Sequence, residues 1–220
     1  MKLILFDLDH TLLSGDSDVL WCEFLINRGV LDEQSFALKN AQIDAGYSAG
    51  TIEPKVFSDF YASTLAGGSP AHWEPFRKAF VQEIIHPRIS QSALDLVRKH
   101  RVYGSRVVMT TATNRYLAEP SAAYLGIEEV IATELDVQGG IFTGRTTGHP
   151  NMREGKVVRL NAWLAGQDLE LKDFDSTAYS DSINDLPLLL SVKHPVAIDP
   201  DDKLRQEAQS RGWPIVHLER

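Results

Sequence analysis

Near the start of this 220-residue chain, two carboxylates and a hydroxyl, Asp7, Asp9 and Thr11, follow the apolar run Leu3-Ile4-Leu5-Phe6. On extended backbone Asp7 and Asp9 point the same way, so each raises the other's pKa unless something neutralises them. A strand does not need paired acids at its end for stability. The pair therefore points to a cation site in which one acid does chemistry. Three further stretches can contribute: Thr110 and Thr111 closing "VVMTT", Lys156 in "MREGK", and Asp181 and Asp185 in "YSDSINDLP". Asp7, Asp9, Asp181 and Asp185 offer hard oxygen ligands, or acceptors behind them, of the kind Mg²⁺ prefers. Thr111 and Lys156 offer a hydroxyl donor and a positive charge, which suit a phosphoryl group. Each stretch has a plain structural alternative: a threonine turn, a solvated helix lysine, an aspartate helix cap. Together they describe phosphoryl transfer, with an anionic substrate between metal and lysine.

The elements that must position these groups can be read from periodicity. Leu3 to Phe6 shows no polar alternation and reads as a short strand covered on both faces. Residues 16–85 show helical periodicity from "DVLWCEFLINRG" through "PAHWEPFRKAFVQEII" and no evident strand. Asp32 with Ser35, Thr51 with Pro54 and Ser69 with Pro70 are the expected helix starts. This stretch is too long for a simple crossover helix and reads as an inserted helical subdomain.

From "HPRIS" onward helices and strands alternate. "SRVVMTTAT" is a strand, "RYLAEPSAAYLG" a helix ending at Gly126, "EEVIATELDV" a strand, and "QGGIFTGRTTG" a hairpin about its paired glycines. "EGKVVRLNAWLAG" is a helix closed by Gly166; "STAYSDSINDLPLLL" is a strand, an acidic loop and a helix; "HPVAIDP" and "WPIVHLE" are late short strands. The expected fold is α/β, a Rossmann-like doubly wound, mostly parallel sheet with an inserted all-helical domain. Its core is 1–15 and 86–220, and the helical domain 16–85. In open α/β sheets ligands bind beyond the carboxyl ends of strands, where the acid pairs and the threonines fall.

Composition narrows the function. Hydrophobic content of 43% and a formal charge of −8 describe a globular chain without the basic face of a nucleic-acid binder or an attraction to anionic membranes. Cys22 is the single cysteine, so there is no intramolecular disulfide and no cysteine zinc cluster. Asp7 interrupts the N-terminal apolar run too early for a signal peptide, no stretch reaches the length of a membrane span, and a cytoplasmic location is expected.

"FDLDHTLL", "VVMTTA", "EGK" and "YSDSINDLPLL" resemble, in order, the four motifs of the haloacid dehalogenase-like hydrolases: DxDxT, a strand ending in Ser or Thr, a Lys, and an acidic pair of the GDxxxD type. Ser180 stands where that family commonly has Gly. "ATELDVQGGIFTGR", "NDLPLL" and the helical insertion after the first motif resemble the phosphoserine-phosphatase-like branch with its C1-type cap. The resemblance implies Asp7 as the nucleophile that forms an aspartyl-phosphate, and Asp9 as general acid and then base, its main-chain carbonyl on Mg²⁺. It implies Asp181 as a metal ligand, Asp185 as the acid orienting metal-bound waters, and Thr111, Lys156 and Asn184 as phosphate contacts, with Thr110 as the register alternative to Thr111. Asp16 aligns with a cap-entry acid that contacts the substrate amine in phosphoserine phosphatases, and also reads as a helix cap. Thr11 steadies the loop.

The implied substrate is a small-molecule phosphate ester. No cap arginine or lysine matches the arginine that reads the phosphoserine carboxylate, and acids outnumber them there. An amino-alcohol phosphate such as histidinol phosphate is therefore expected, with Trp21, Phe24, Phe57 and Tyr61 as pocket or core aromatics. The alternatives are phosphoserine itself, transfer of the phosphoryl group to an alcohol, a signalling module that keeps the phosphate on Asp7, or a binding protein that has lost turnover.

Overall fold

The computed structural model describes residues 1–48 and 52–219. Its frame is a seven-stranded sheet built from β1 (Lys2–Phe6), β2 (Arg106–Asn114), β3 (Glu129–Gln138), β4 (Ile141–Thr147), β5 (Asp175–Ser180), β6 (His194–Ile198) and β7 (Ile215–Val216). The order is β4-β3-β2-β1-β5-β6-β7, parallel throughout except for the antiparallel β3–β4 pair. β1 lies at the centre, with β2 and β5 beside it and parallel to it, so three candidate strand ends adjoin at the carboxyl end of the sheet's middle.

Burial on both faces explains the continuous apolar run of β1. Leu3 and Leu5 pack with Leu160 and Leu164 of α7 (Glu154–Ala165), Leu188 and Leu189 of α8 (Leu186–Ser191) and Leu204 of α9 (Asp202–Arg211). Ile4 and Phe6 face the other way, toward Ala93 and Val97 of α5 (Gln91–Val102) and Leu117 of α6 (Arg115–Leu125). The alternation of side chains along a strand thus separates two cores, one on each side of the sheet.

Between β1 and α5 the described residues form α1 (Ser17–Asn27), α2 (Glu33–Ser48), α3 (Pro54–Ala62) and α4 (Pro70–Phe80), and α4 runs into a π-helical turn over Val81–Ile85. Asp32 and Ser69 start their helices as expected: Ser35 N–H donates to Asp32 Oδ1, and His72 N–H to Ser69 Oγ. Thr51 lies outside the described residues. Trp21, Phe24 and Phe80 pack together, and Trp21 Nε1 and Trp73 Nε1 donate to Thr64 Oγ1 and the Leu65 carbonyl. Ser14 N–H donates to the Arg88 carbonyl at 2.9 Å, so the chain leaves the sheet and returns to it side by side.

Gly126 ends α6 in the left-handed conformation, φ +73°, which glycine adopts without steric cost. Gly166 does not end α7 in that way. It is right-handed, and the positive φ falls two residues later, at Asp168. The expected hairpin forms with Gly139 and Gly140, both at positive φ, joining the paired residues Gln138 and Ile141. Its outer strand β4 exchanges two backbone hydrogen bonds with the loop after α3, Phe142 N–H to Gly68 O and Gly67 N–H to Phe142 O, both 3.0 Å.

Candidate active site

β1 ends at Phe6 with Asp7 just beyond it, its N–H donating to the Tyr179 carbonyl of β5 at 3.0 Å. That bond carries the β1–β5 pairing one residue past the strand and brings Asp7 beside the loop that opens with Asp181. Thr11 joins the two. Its hydroxyl lies 3.1 Å from Asp7 Oδ2 and 2.9 Å from Asp181 Oδ1, and it accepts the Asp181 N–H at 3.1 Å. From the other face of the sheet, Lys156 in the first turn of α7 places Nζ 2.7 Å from Asp7 Oδ1 and 2.6 Å from Asp185 Oδ2. Ser180 Oγ also donates to Asp185 Oδ2, at 2.8 Å.

Gly155 explains why the lysine can come so near. A Cβ at that position would lie 2.1 Å from the Pro150 carbonyl oxygen, so only glycine lets the start of α7 pass this loop.

Three buried or nearly buried acids surround one buried ammonium group, which is 2% exposed. Burial pushes the Asp7 carboxyl well above the usual carboxylate range; Lys156 pulls it back, and Asp185, Asp181 and Asp9 push it further up. Burial likewise raises Asp181, to about 7, against the hydrogen bond from Thr11 and with Asp185 adding to the rise. Burial lowers Lys156, but Asp185 and Asp7 outweigh that and hold it charged. The site thus carries more negative charge than its lysine can balance, which is the electrostatic signature of a cation site.

The donor set fits Mg²⁺. Among the described residues no three His, Cys, Asp or Glu side chains converge on one point. Mg²⁺ is commonly held by only one or two carboxylates and keeps several waters. Asp7 Oδ2 and Asp181 Oδ1, both within hydrogen-bond reach of one hydroxyl, supply such a pair.

Asp9 is turned away from the lysine. Its Oδ1 accepts the Ser17 N–H at 2.7 Å, and its Oδ2 accepts Thr113 Oγ1–H at 2.7 Å with Thr111 Oγ1 at 3.4 Å. The two threonines of the register question go to different places. Thr111 faces Asp9, whereas Thr110 is occupied by Asn151 Nδ2 at 3.0 Å on the opposite side of β2. Asp16 accepts the N–H groups of Asp18 and Val19 at the start of α1, as the cap reading expects, and its residue also borders the cavity. Asn184 borders the same cavity.

That cavity, of about 150 Å³, is bordered by Asp7, Asp9, Asp16, Lys156, Asp181, Asn184 and Asp185, and on its remaining walls by His10, Phe57, Ala112, Met152, Arg153 and Ser182. Of the four aromatics considered from the sequence, Phe57 of α3 reaches it; Trp21, Phe24 and Tyr61 are core residues. Arg28, Lys55, Arg77 and Lys78 of the helical segment are ion-paired with Glu83, Asp59 and Glu74 and do not border it. Sequence reasoning missed Arg153, which borders the cavity from the loop before α7 with φ +51°, and His10, which borders it with φ +56°. Positive φ at non-glycine residues carries strain and is concentrated at functional sites. Thr113 and Ser17 were missed too, although "TTATN" places a third threonine at the same strand end.

Among the described residues no helix is long and apolar enough to cross a membrane. Residues 4–190 match the model of the haloacid dehalogenase-like hydrolase family. The histidinol-phosphatase of Neisseria meningitidis serogroup C (strain 8013) is 36% identical over 219 residues, covering 99% of each chain. A solved structure of a protein with unknown function from Bordetella pertussis Tohama I is 40% identical, with a TM-score of 0.92 over 98% of this chain and 97% of that one. A phosphoserine phosphatase structure, solved as a phospho-aspartyl intermediate analogue, is 20% identical with a TM-score of 0.69 over 100% of this chain and 94% of that one, a likeness of fold.

Proposed function

We propose, for a chain that belongs to the haloacid dehalogenase-like hydrolases and is a phosphatase of that family, that it hydrolyses a small-molecule phosphomonoester through an aspartyl-phosphate on Asp7. The observation that carries this reading is the buried Lys156 bridging Asp7 and Asp185, with Asp9 two residues on and held apart from the lysine. An ionised Asp7 oxygen attacks phosphorus while the ester P–O bond breaks, and Asp9 gives its proton to the departing alkoxide. Asp9 then takes a proton from water as the water oxygen attacks the phosphorus of the aspartyl-phosphate, which releases inorganic phosphate and restores Asp7.

Lys156 stabilises the carboxylate form of Asp7 before attack and the phosphate oxygens after it. Asn184, which borders the cavity, and Thr111, which is buried behind it facing Asp9, would contact those oxygens. Asp7, Asp181 and the Asp9 carbonyl would hold Mg²⁺, with Asp185 behind them. The ion's contribution when bound is to offset negative charge on the transferring phosphoryl group. Residues 16–85 act as the cap and bring Asp16 and Phe57 over the cavity, excluding bulk water.

For the substrate we favour an amino-alcohol phosphate such as histidinol phosphate. The acids along the cavity, the lack among the described residues of a helical-segment cation there and the name of the Neisseria relative support it. Phosphoserine is the second reading, and Arg153 at the cavity is the observation in its favour, since a guanidinium pairs well with a carboxylate.

The test is phosphate release from p-nitrophenyl phosphate, histidinol phosphate, phosphoserine and sugar phosphates, with Mg²⁺ or EDTA and with Asp7→Asn alongside. Release that needs Mg²⁺, vanishes in the variant and is fastest with histidinol phosphate is expected. Phosphoserine leading the panel would transfer the specificity argument to Arg153. A labelled phosphoprotein without turnover would favour the signalling alternative, and a new ester on adding alcohols would favour phosphotransfer.

A further inference from the structure

Asp9 is held by a hydroxyl chain that no motif contains. Thr113 Oγ1 lies 2.7 Å from Asp9 Oδ2 and 2.8 Å from Ser17 Oγ, while Ser17 N–H is 2.7 Å from Asp9 Oδ1. A threonine hydroxyl has one proton. With that proton on Asp9, the Thr113 oxygen accepts from Ser17, so the ring Asp9–Ser17–Thr113 is satisfied at every member. Thr113 and Ser17 are each 1% exposed, and the three residues come from three elements: the loop after β1, the first turn of α1 and the end of β2.

We infer that Thr113, seconded by Ser17, is a positioning residue for the proton-transfer step, fixing the rotation of the Asp9 carboxyl by grasping one oxygen from the sheet and the other from the start of the helical segment. A carboxyl turns freely about its last bond unless both oxygens are held. General acid catalysis by a side chain depends on its proton lying within hydrogen-bond reach of the departing oxygen, so a carboxyl free to rotate loses much of the effect. The other contact to Oδ2, Thr111 at 3.4 Å, is too long to replace that from Thr113. Among the described residues no hydrogen bond joins Thr113 to Lys156 or Asp7, so its loss leaves the bonds that hold the attacking group in place.

This inference rests on the proposed role of Asp9, and the leaving group separates the two. p-Nitrophenolate departs as a stable anion and needs little protonation, whereas an alkoxide needs a proton as it leaves. Comparing kcat/KM for p-nitrophenyl phosphate and for the best alkyl phosphate of the panel reads the step up to the aspartyl-phosphate. For Thr113→Val, which keeps the shape of the side chain, the alkyl ester is expected to lose roughly tenfold or more beyond any loss with p-nitrophenyl phosphate. Thr113→Ser should recover most of that difference, and Asp9→Asn should show it in full. Equal losses with both esters in Thr113→Val, with an unchanged circular-dichroism spectrum and melting temperature, would overturn the inference while leaving the function standing. An Asp9→Asn variant showing no difference between esters would remove the proposed role of Asp9 and the inference together.

Discussion

Lys156 Nζ sits 2.7 Å from Asp7 Oδ1 across 149 residues of sequence, and both groups are shielded from solvent. A lysine buried in this way has a structural role as well as a chemical one. Among the described residues it is the single ammonium group paired with Asp7 and Asp185, with Asp181 also nearby.

Lys156→Met should therefore damage two properties at once. Removing one partner of a buried ion pair typically costs on the order of 3–5 kcal/mol, because the other charge is left without compensation. Losing a fixed positive charge at a reacting phosphoryl group typically lowers kcat by about 100-fold or more. Urea unfolding and phosphate release on the same variant measure the two effects. A variant with full stability and full activity would show that the bridge contributes to neither.

Gly155→Ala tests whether the approach of α7 positions the lysine. The added methyl would meet the Pro150 carbonyl at 2.1 Å, so the loop or the first turn of the helix must shift. Overpacking of this kind costs about 1–3 kcal/mol. The expected result is a lower melting temperature together with a fall in kcat, since Lys156 is the next residue. A melting temperature that falls while kcat holds would mean that the loop, not the helix, gives way.

The third prediction concerns the tie between α3 and β4. Asp59 accepts Thr146 N–H at 2.7 Å and Thr146 Oγ1–H at 2.6 Å, and Lys55 Nζ contacts both residues. Burial raises the Asp59 carboxyl, but the bonds from Lys55 and Thr146 outweigh it and hold the carboxyl below its ordinary value. A carboxylate depressed in the folded state binds its proton more readily when unfolded. Its stabilisation is thus complete above the unfolded carboxylate range and disappears as pH falls through the folded value. The melting temperatures of the wild type and Asp59→Ala should differ by a constant amount from neutral pH down to about pH 5, and should converge at lower pH. A gap that does not change with pH would show that packing, not charge, makes this contact.

Much of the site is legible in the sequence. Asp7, Asp9, Lys156, Asp181 and Asp185 announce themselves by type, because nothing in a folded core asks for that many ionisable groups at strand ends and helix starts. The α/β order follows from apolar periodicity, and the unbroken run of β1 already required cover on both faces. Gly126, Gly139 and Gly140 marked a helix end and a hairpin through the left-handed conformation that glycine adopts without steric cost. Gly166 also closes its helix, but in the right-handed conformation, since a glycine permits the left-handed one without imposing it.

What remained for the tertiary structure were directions and long-range partners. Thr110 and Thr111 point to opposite faces of β2, and only the neighbours, Asn151 on one side and Asp9 on the other, show which of them lies beside Asp9. Phe57 reaches the cavity while Trp21, Phe24 and Tyr61 fill the core, a choice made by how the helices pack and not by their aromatic spacing. Arg153 enters through a positive φ that no residue preference predicts. Thr113 meets Ser17 across 96 residues and Asp9 across 104, because the sheet order sets β2 beside β1. Residue chemistry is local and can be read along a chain; contact between distant residues depends on which strands lie side by side, and that is settled only when the whole sheet has formed.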